Sequence, residues 1–213
     1  MSRTFDLSVY FVADSSLCAG RDLSDVVRGA IAGGATMIQL RNKHGTSMEF
    51  LEQAHELRRQ VRNIPFLIND RVDIAREVDA DGVHLGQGDM RTAEARALMG
   101  PKKIIGVTAF TAEHFAAIDP SVIDYAGTGP FYPTKTEKGK PVLGPDGFRA
   151  LVKISPVPVV GIGGITPANA AAVIECGAAG VAMMRSISGA PDPKKAADAI
   201  SGAVASARLR LAS

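Results

Sequence analysis

Short apolar, β-branched runs and longer segments of helical period alternate without a break along this chain. That alternation narrows its folds more than any other feature. Residues 8–13, 37–40, 66–69, 82–85, 104–107, 125–127, 159–162 and 180–184 read as strands. Between and after them, residues 23–32, 47–61, 72–77, 92–98, 112–118, 145–152, 167–175 and 193–207 read as helices. In the second helix Phe50, Leu51, Ala54, Leu57 and Val61 recur at helical spacing and give one apolar face. Pro145, Pro167 and Pro193 stand at helix starts, where a missing N–H costs little. The strands are apolar nearly throughout, as expected of a parallel sheet covered on both faces. Eight strand–helix units predict a single (β/α)8 TIM barrel over residues 1–213, with no linker or second domain. An open doubly wound sheet is the alternative, since alternation alone does not fix closure.

At 213 residues each unit averages about 27, near the lower bound for such a barrel. Most loops must therefore be short, and the extra length collects between Thr128 and Gly144. Lys and Arg total 24 against 22 Asp and Glu, a net charge of +2, so nothing drives the whole surface toward nucleic acid and any anion site must be local. Aromatics are scarce and Trp is absent, which argues against a stacking platform for single strands. Cys18 and Cys176 stand far apart and read as two reduced thiols in a cytoplasmic protein rather than a disulfide or zinc framework. Residues 1–6 lack the pattern of a signal peptide, and no apolar run is long enough to span a membrane. Lean barrels often associate, so a homo-oligomer is compatible with the chain.

Barrels of this kind place functional groups at strand C-terminal ends and in the loops that follow. Read with that filter, the second strand runs into Gln39-Leu40-Arg41-Asn42-Lys43, where two cations and a polar neighbour suit a phosphate or pyrophosphate. Asp70 and Asp89 leave the third and fourth strands at the same rim and together suit Mg²⁺, which takes one or two carboxylates plus phosphate oxygens. Either Asp alone would more often be a helix N-cap. His84 lies inside the fourth strand and reads first as a packed, hydrogen-bonded histidine; Asp73 and Asp81 read as surface and turn residues. The loop after the sixth strand is long, basic and hydroxyl-rich, as binding segments are. Gly161-Ile162-Gly163-Gly164-Ile165 after strand seven and Met184-Arg185-Ser186 after strand eight suit a second, separate phosphate subsite.

Taken together, Gln39-Leu40-Arg41-Asn42-Lys43, Ile68-Asn69-Asp70-Arg71, Gly82-Val83-His84-Leu85-Gly86-Gln87-Gly88-Asp89, Gly127-Thr128-Gly129-Pro130, Pro133-Thr134-Lys135-Thr136 and Gly161-Ile162-Gly163-Gly164-Ile165 resemble the thiamine-phosphate synthase family. The resemblance runs from about Tyr10 to Ser188. It implies a transferase of thiamine biosynthesis. Such an enzyme joins a hydroxymethylpyrimidine pyrophosphate to a thiazole phosphate and releases thiamine phosphate and pyrophosphate. Its partners would be those small molecules, with no nucleic acid and no membrane. In the family the pyrophosphate leaves first, and the thiazole nitrogen captures the pyrimidine cation. Electrostatic stabilisation of the leaving group, with Mg²⁺, then carries much of the rate and no general base is demanded.

The resemblance also implies residue roles. Gln39, Arg41, Lys43 and Asn69 would bind the pyrimidine pyrophosphate, and Asp70 and Asp89 would hold Mg²⁺. Thr108 stands where the family usually has Ser, with its hydroxyl kept. Thr134, Lys135, Thr136, Gly164 and the backbone of Met184 and Arg185 would contact the thiazole phosphate. Arg41, Lys43, Thr108 and Lys138 are the expected catalytic residues. Three further positions depart from the family pattern. Glu137 replaces a Lys, so Lys138 is expected to supply that charge; Phe110 stands near a frequent His; and Arg185 replaces a Ser, an exchange expected to strengthen phosphate binding. Three other readings use the same barrel. One is a thiazole tautomerase-like isomerase, one a non-catalytic phosphate-binding barrel, and one a phosphate-sugar isomerase or epimerase. The tautomerase reading calls for a His where Phe110 stands, and the sugar-phosphate reading has no need of the Asp70/Asp89 pair beside Arg41 and Lys43.

Overall fold

The computed structural model describes residues 4–136, 139 and 141–212. Eight strands follow in chain order, β1 (Val9–Ala13), β2 (Met37–Leu40), β3 (Phe66–Asn69), β4 (Gly82–Leu85), β5 (Ile104–Thr108), β6 (Tyr125–Thr128), β7 (Val159–Ile162) and β8 (Gly180–Met183). All neighbours pair in parallel and the sheet closes, with Val9 of β1 opposite Val181 of β8. Closure excludes the open doubly wound sheet and establishes the (β/α)8 barrel.

Helices α1 (Leu23–Ala32), α2 (Ser47–Gln60), α3 (Val72–Glu77), α4 (Thr92–Met99), α5 (Ala112–Ala116), α6 (Gly144–Ile154), α7 (Ala170–Glu175), α8 (Arg185–Ser188) and α9 (Pro193–Ala212) surround it. Local chemistry fixes several starts. Asp22 accepts from the amides of Ser24 and Asp25 at the head of α1, and Thr46 with Glu49 forms a capping box on α2. Two expected starts move: the sixth helix begins one residue early, at Gly144, and the seventh shifts further. The seventh helix begins at Ala170 rather than Pro167, because the Asn169 side chain bonds the Thr166 amide at 2.7 Å and the Gly164 carbonyl at 3.1 Å and holds the preceding residues in a turn. The last helix continues past residue 207 to Ala212, where Arg208 bonds the Ser8 hydroxyl and Arg210 pairs with Glu175. Helix α8 is four residues long, too short to show a period. Among the described residues no helix is long and apolar enough to cross a membrane.

The core has two parts. The larger lies between the sheet and the helices, and includes Phe11, Ile38, Phe66, Val83, Ile105 and Phe148. The smaller fills the barrel with Leu7, Tyr10, Val12, Met37, Leu67, Ile104, Tyr125, Val160 and Ala182, with Phe5 packed against its lower end. Asp81 does more than the surface turn expected of it: its carboxylate accepts from the Phe66 amide and from Arg58, both at 2.9 Å. Asp73 is the exposed partner of Arg71. Cys18 and Cys176 are both buried free thiols, and burial raises both above the ordinary thiol range.

Candidate active site at the C-terminal face

Strand alternation turns Gln39 and Arg41 toward the barrel mouth, where both line a cavity of about 500 Å³. Gln39 is almost fully buried, and Arg41 is half-buried. The Arg41 guanidinium donates to the Asp14 carboxylate at 2.6 Å. Asp14 is only 2% exposed and also accepts from the Ser16 amide, so it is a fixed anchor at the end of β1. Lys43 behaves differently. It is exposed, stands outside the cavity lining, and pairs with Asp70 across the β2 and β3 loops.

Neither Asp70 nor Asp89 is a helix N-cap. The caps of α3 and α4 are Arg71 and Arg91, neither with a side-chain capping bond. Asp70 has φ +62°, a left-handed backbone that Asp tolerates better than most residues, and its amide bonds the His84 carbonyl at 2.8 Å. Asp89 accepts from the Gly86 amide at 2.6 Å. The two carboxyls are near enough to act on each other. Burial raises the Asp70 carboxyl above the ordinary range and Asp89 adds to this, against the pull of Lys43. Two neighbouring carboxyls favour a cation beside them, and Lys43 is that cation for Asp70 here. Among the described residues no group of three or more His, Cys, Asp or Glu gathers anywhere, so two hard oxygen donors are the whole set. That set fits Mg²⁺ completed by phosphate oxygens and does not fit a closed all-protein cage.

The opposite arc of the mouth belongs to β6, β7 and β8. Thr134, Lys135, Thr136, Gly164, Met184 and Arg185 all line the cavity there. Gly163 and Gly164 have φ +98° and +65°, and a Cβ on Gly164 would lie 2.6 Å from the Pro133 carbonyl oxygen. Only glycine lets the β7 and β6 loops approach this closely. Helix α8 begins at Arg185, and its Ile187 and Ser188 amides bond the Met184 carbonyl at 3.2 and 2.9 Å. The Arg185 Nε donates to the Thr136 hydroxyl at 3.0 Å, joining the β8 and β6 loops across the mouth. Expected Lys138, with Glu137, lies outside the described residues.

The floor carries Asn69, Thr108 and His84. His84 is hydrogen-bonded on both ring nitrogens, to the Tyr125 hydroxyl at 2.9 Å and to the Thr108 hydroxyl at 3.0 Å, so it is packed as expected while also facing the cavity. Phe110 lies outside the lining and packs edge-on against His114, with ring centroids 4.5 Å apart. Sequence reasoning missed three residues of this site. Asp14 had a signal, a carboxylate directly after β1 at the functional rim. Tyr10 and Tyr125 had only their inward register, because their hydroxyls find partners across the closed barrel.

The fold and site define a class: a (β/α)8 barrel enzyme whose C-terminal face presents two arcs of anion-binding groups around one cavity. A family model described as thiamine monophosphate synthase matches residues 9–187. A thiamine-phosphate synthase of Xanthobacter autotrophicus is 44% identical over 211 residues, covering 98% of this chain and 100% of the relative. One of Moorella thermoacetica is 42% identical over 204 residues, covering 94% and 97%. The solved thiamine phosphate pyrophosphorylase of Pyrococcus furiosus superposes with a TM-score of 0.85 at 35% identity, covering 94% of this chain and 96% of that one. The chain belongs to the thiamine monophosphate synthase family.

Proposed function

We propose that this chain condenses a hydroxymethylpyrimidine pyrophosphate with a thiazole phosphate to give thiamine phosphate and pyrophosphate. One observation carries the reading: the two opposite arcs of a single cavity each hold groups suited to an anion. On the side of β2 to β4 Arg41 lines the cavity, while Lys43 and the Asp70/Asp89 pair stand on the loops beside it, outside its lining. The arc of β6 to β8 has Thr134, Thr136, Gly164 and Arg185.

Arg41, held by Asp14, binds the pyrophosphate as a fork, and Lys43 turns from Asp70 to the same oxygens. Asp70 and Asp89 hold magnesium, which when bound supplies positive charge to the departing pyrophosphate. The bond from the pyrimidine methylene carbon to oxygen breaks, and the electron pair leaves with pyrophosphate. Val160, Ile162 and Ala182 line the cavity and shield the resulting cation from water. Thr134, Thr136, Arg185 and the Gly164 backbone anchor the thiazole phosphate, so that the thiazole nitrogen donates its lone pair to that carbon. Asn69 and Gln39 orient the pyrimidine, and Lys138 adds a further charge to the leaving group. The names of its relatives, thiamine-phosphate synthase and thiamine phosphate pyrophosphorylase, support the reading.

The test is purified protein with both phosphorylated heterocycles, with and without Mg²⁺. Thiamine phosphate formed only with Mg²⁺ supports the proposal. Thiazole isomerisation without metal, and no condensation, overturns it in favour of an isomerase. Wild-type turnover and pyrimidine affinity in Lys138→Ala would remove Lys138 from the mechanism.

A further inference from the structure

Five polar groups from five strands form one chain under the cavity. Gln39 Nε2 bonds the Tyr10 hydroxyl, Tyr10 meets the Tyr125 hydroxyl at 2.7 Å, Tyr125 meets His84 Nδ1 at 2.9 Å, and His84 Nε2 meets the Thr108 hydroxyl at 3.0 Å. Each phenol, and the neutral imidazole, has one proton to give. An amide N–H donates, so Tyr10 accepts from Gln39 and passes its own proton toward Tyr125. Tyr125 must then donate to His84 Nδ1. The imidazole carries its proton on Nε2 and donates to Thr108. The Thr108 hydroxyl, which lines the cavity, keeps its own proton for a ligand.

We infer that Gln39 sets the direction of this relay and thereby makes Thr108 a hydrogen-bond donor to a ring nitrogen of the bound pyrimidine. The inference rests on the proposed condensation and adds Tyr10, Tyr125 and His84 to it as positioning residues. The reverse direction would commit the Thr108 proton to His84 and leave the floor without that donor. The backbone is shaped to hold the relay. A Cβ on Gly106 would lie 2.1 Å from Tyr125 Cζ, and one on Gly127 would lie 3.1 Å from His84 Cε1. Both phenols are fully buried, which keeps their protons in place. Asn69 stands opposite His84 and Val12 opposite Gln39 in the sheet, and both line the cavity, so the uncharged neighbours of the relay suit a neutral ring nitrogen as the acceptor.

The test is ¹⁵N imidazole NMR of the full chain without substrate, with His84 assigned as the resonance pair lost in His84→Gln. The expected spectrum shows Nε2 protonated and Nδ1 bare. A proton on Nδ1, or on both nitrogens, overturns the relay. In Tyr125→Phe both tautomers become populated and the two nitrogen shifts move toward each other; unchanged shifts overturn the role of Tyr125. If that variant does not fold, the wild-type spectrum alone decides. With substrate, Thr108→Val raises KM for the pyrimidine pyrophosphate about fivefold, the scale of one lost hydrogen bond, and Thr108→Ser restores it. A wild-type KM in Thr108→Val overturns the donor role. Because the spectra need no substrate, a failed condensation and a wrong relay direction are told apart.

Discussion

The guanidinium of Arg41 is held 2.6 Å from the buried carboxylate of Asp14, joining the C-terminal ends of β2 and β1. An Arg left free would sample many rotamers on each encounter with an anion. Here that entropy is lost on folding rather than on binding. Asp14→Asn therefore lowers kcat/KM for the pyrimidine pyrophosphate by about tenfold, or about 1.4 kcal/mol, while KM for the thiazole phosphate holds. Steady-state kinetics with each substrate varied in turn checks this, and equal losses for both substrates would count against it.

Asp70→Asn keeps the fold, because Asn also tolerates the left-handed backbone that Asp70 adopts. Turnover should fall by about a hundredfold or more if the residue holds the metal. Circular dichroism and activity measured on one sample decide between roles. An unfolded variant would make Asp70 structural, and full activity would remove it from the site.

Arg185→Ser removes the bond to Thr136 and one cation from the thiazole arc. Affinity for thiazole phosphate should drop about fivefold, on the scale of about 1 kcal/mol per hydrogen bond. Titration calorimetry reads this directly, and unchanged affinity would show that Arg185 only closes the loop.

Tyr10 and Tyr125 supply the pH dependence. Burial raises both phenols above their ordinary value of about 10. Below that pH both states keep the protons, and the stability is fully present. Above it the unfolded chain ionises while the folded one does not, so stability is lost as pH rises. Of the three tyrosines in the chain, these two should show phenolate absorbance only as the barrel unfolds. Their ionisation while far-ultraviolet circular dichroism stays native would contradict the buried pairing.

Gly106→Ala drives a Cβ into the ring of Tyr125 and should cost about 1–3 kcal/mol. Thermal denaturation should show a Tm several degrees lower. An unchanged Tm would show that the ring moves aside freely.

The barrel was legible because its strands carry apolar residues on both faces and its helices on one. β2, β3, β4 and β7 begin and end where their residues predict. Arg41, Asn69, Thr108 and Gly164 were legible because strand ends in this fold point to a single mouth, and all four line it. What escaped depends on closure. Tyr10 and Tyr125 lie 115 residues apart and read as ordinary core until β1 and β6 face each other across the barrel. Lys43 read as a companion of Arg41 on one strand face, yet the chain has left the strand by then and its ammonium pairs with Asp70. Asp14 is one residue beyond β1 and belongs to no motif; only the register of β1 against β2 sets it beside Arg41.

The most direct test of two anion subsites in one cavity is a double titration by calorimetry. Thiazole phosphate is titrated into protein already saturated with pyrophosphate and Mg²⁺, and the reverse order is run beside it. Two subsites predict that each ligand binds in the presence of the other, with one site apiece and affinities changed by less than about tenfold. Mutual exclusion, with either ligand abolishing the heat of the other, would contradict them.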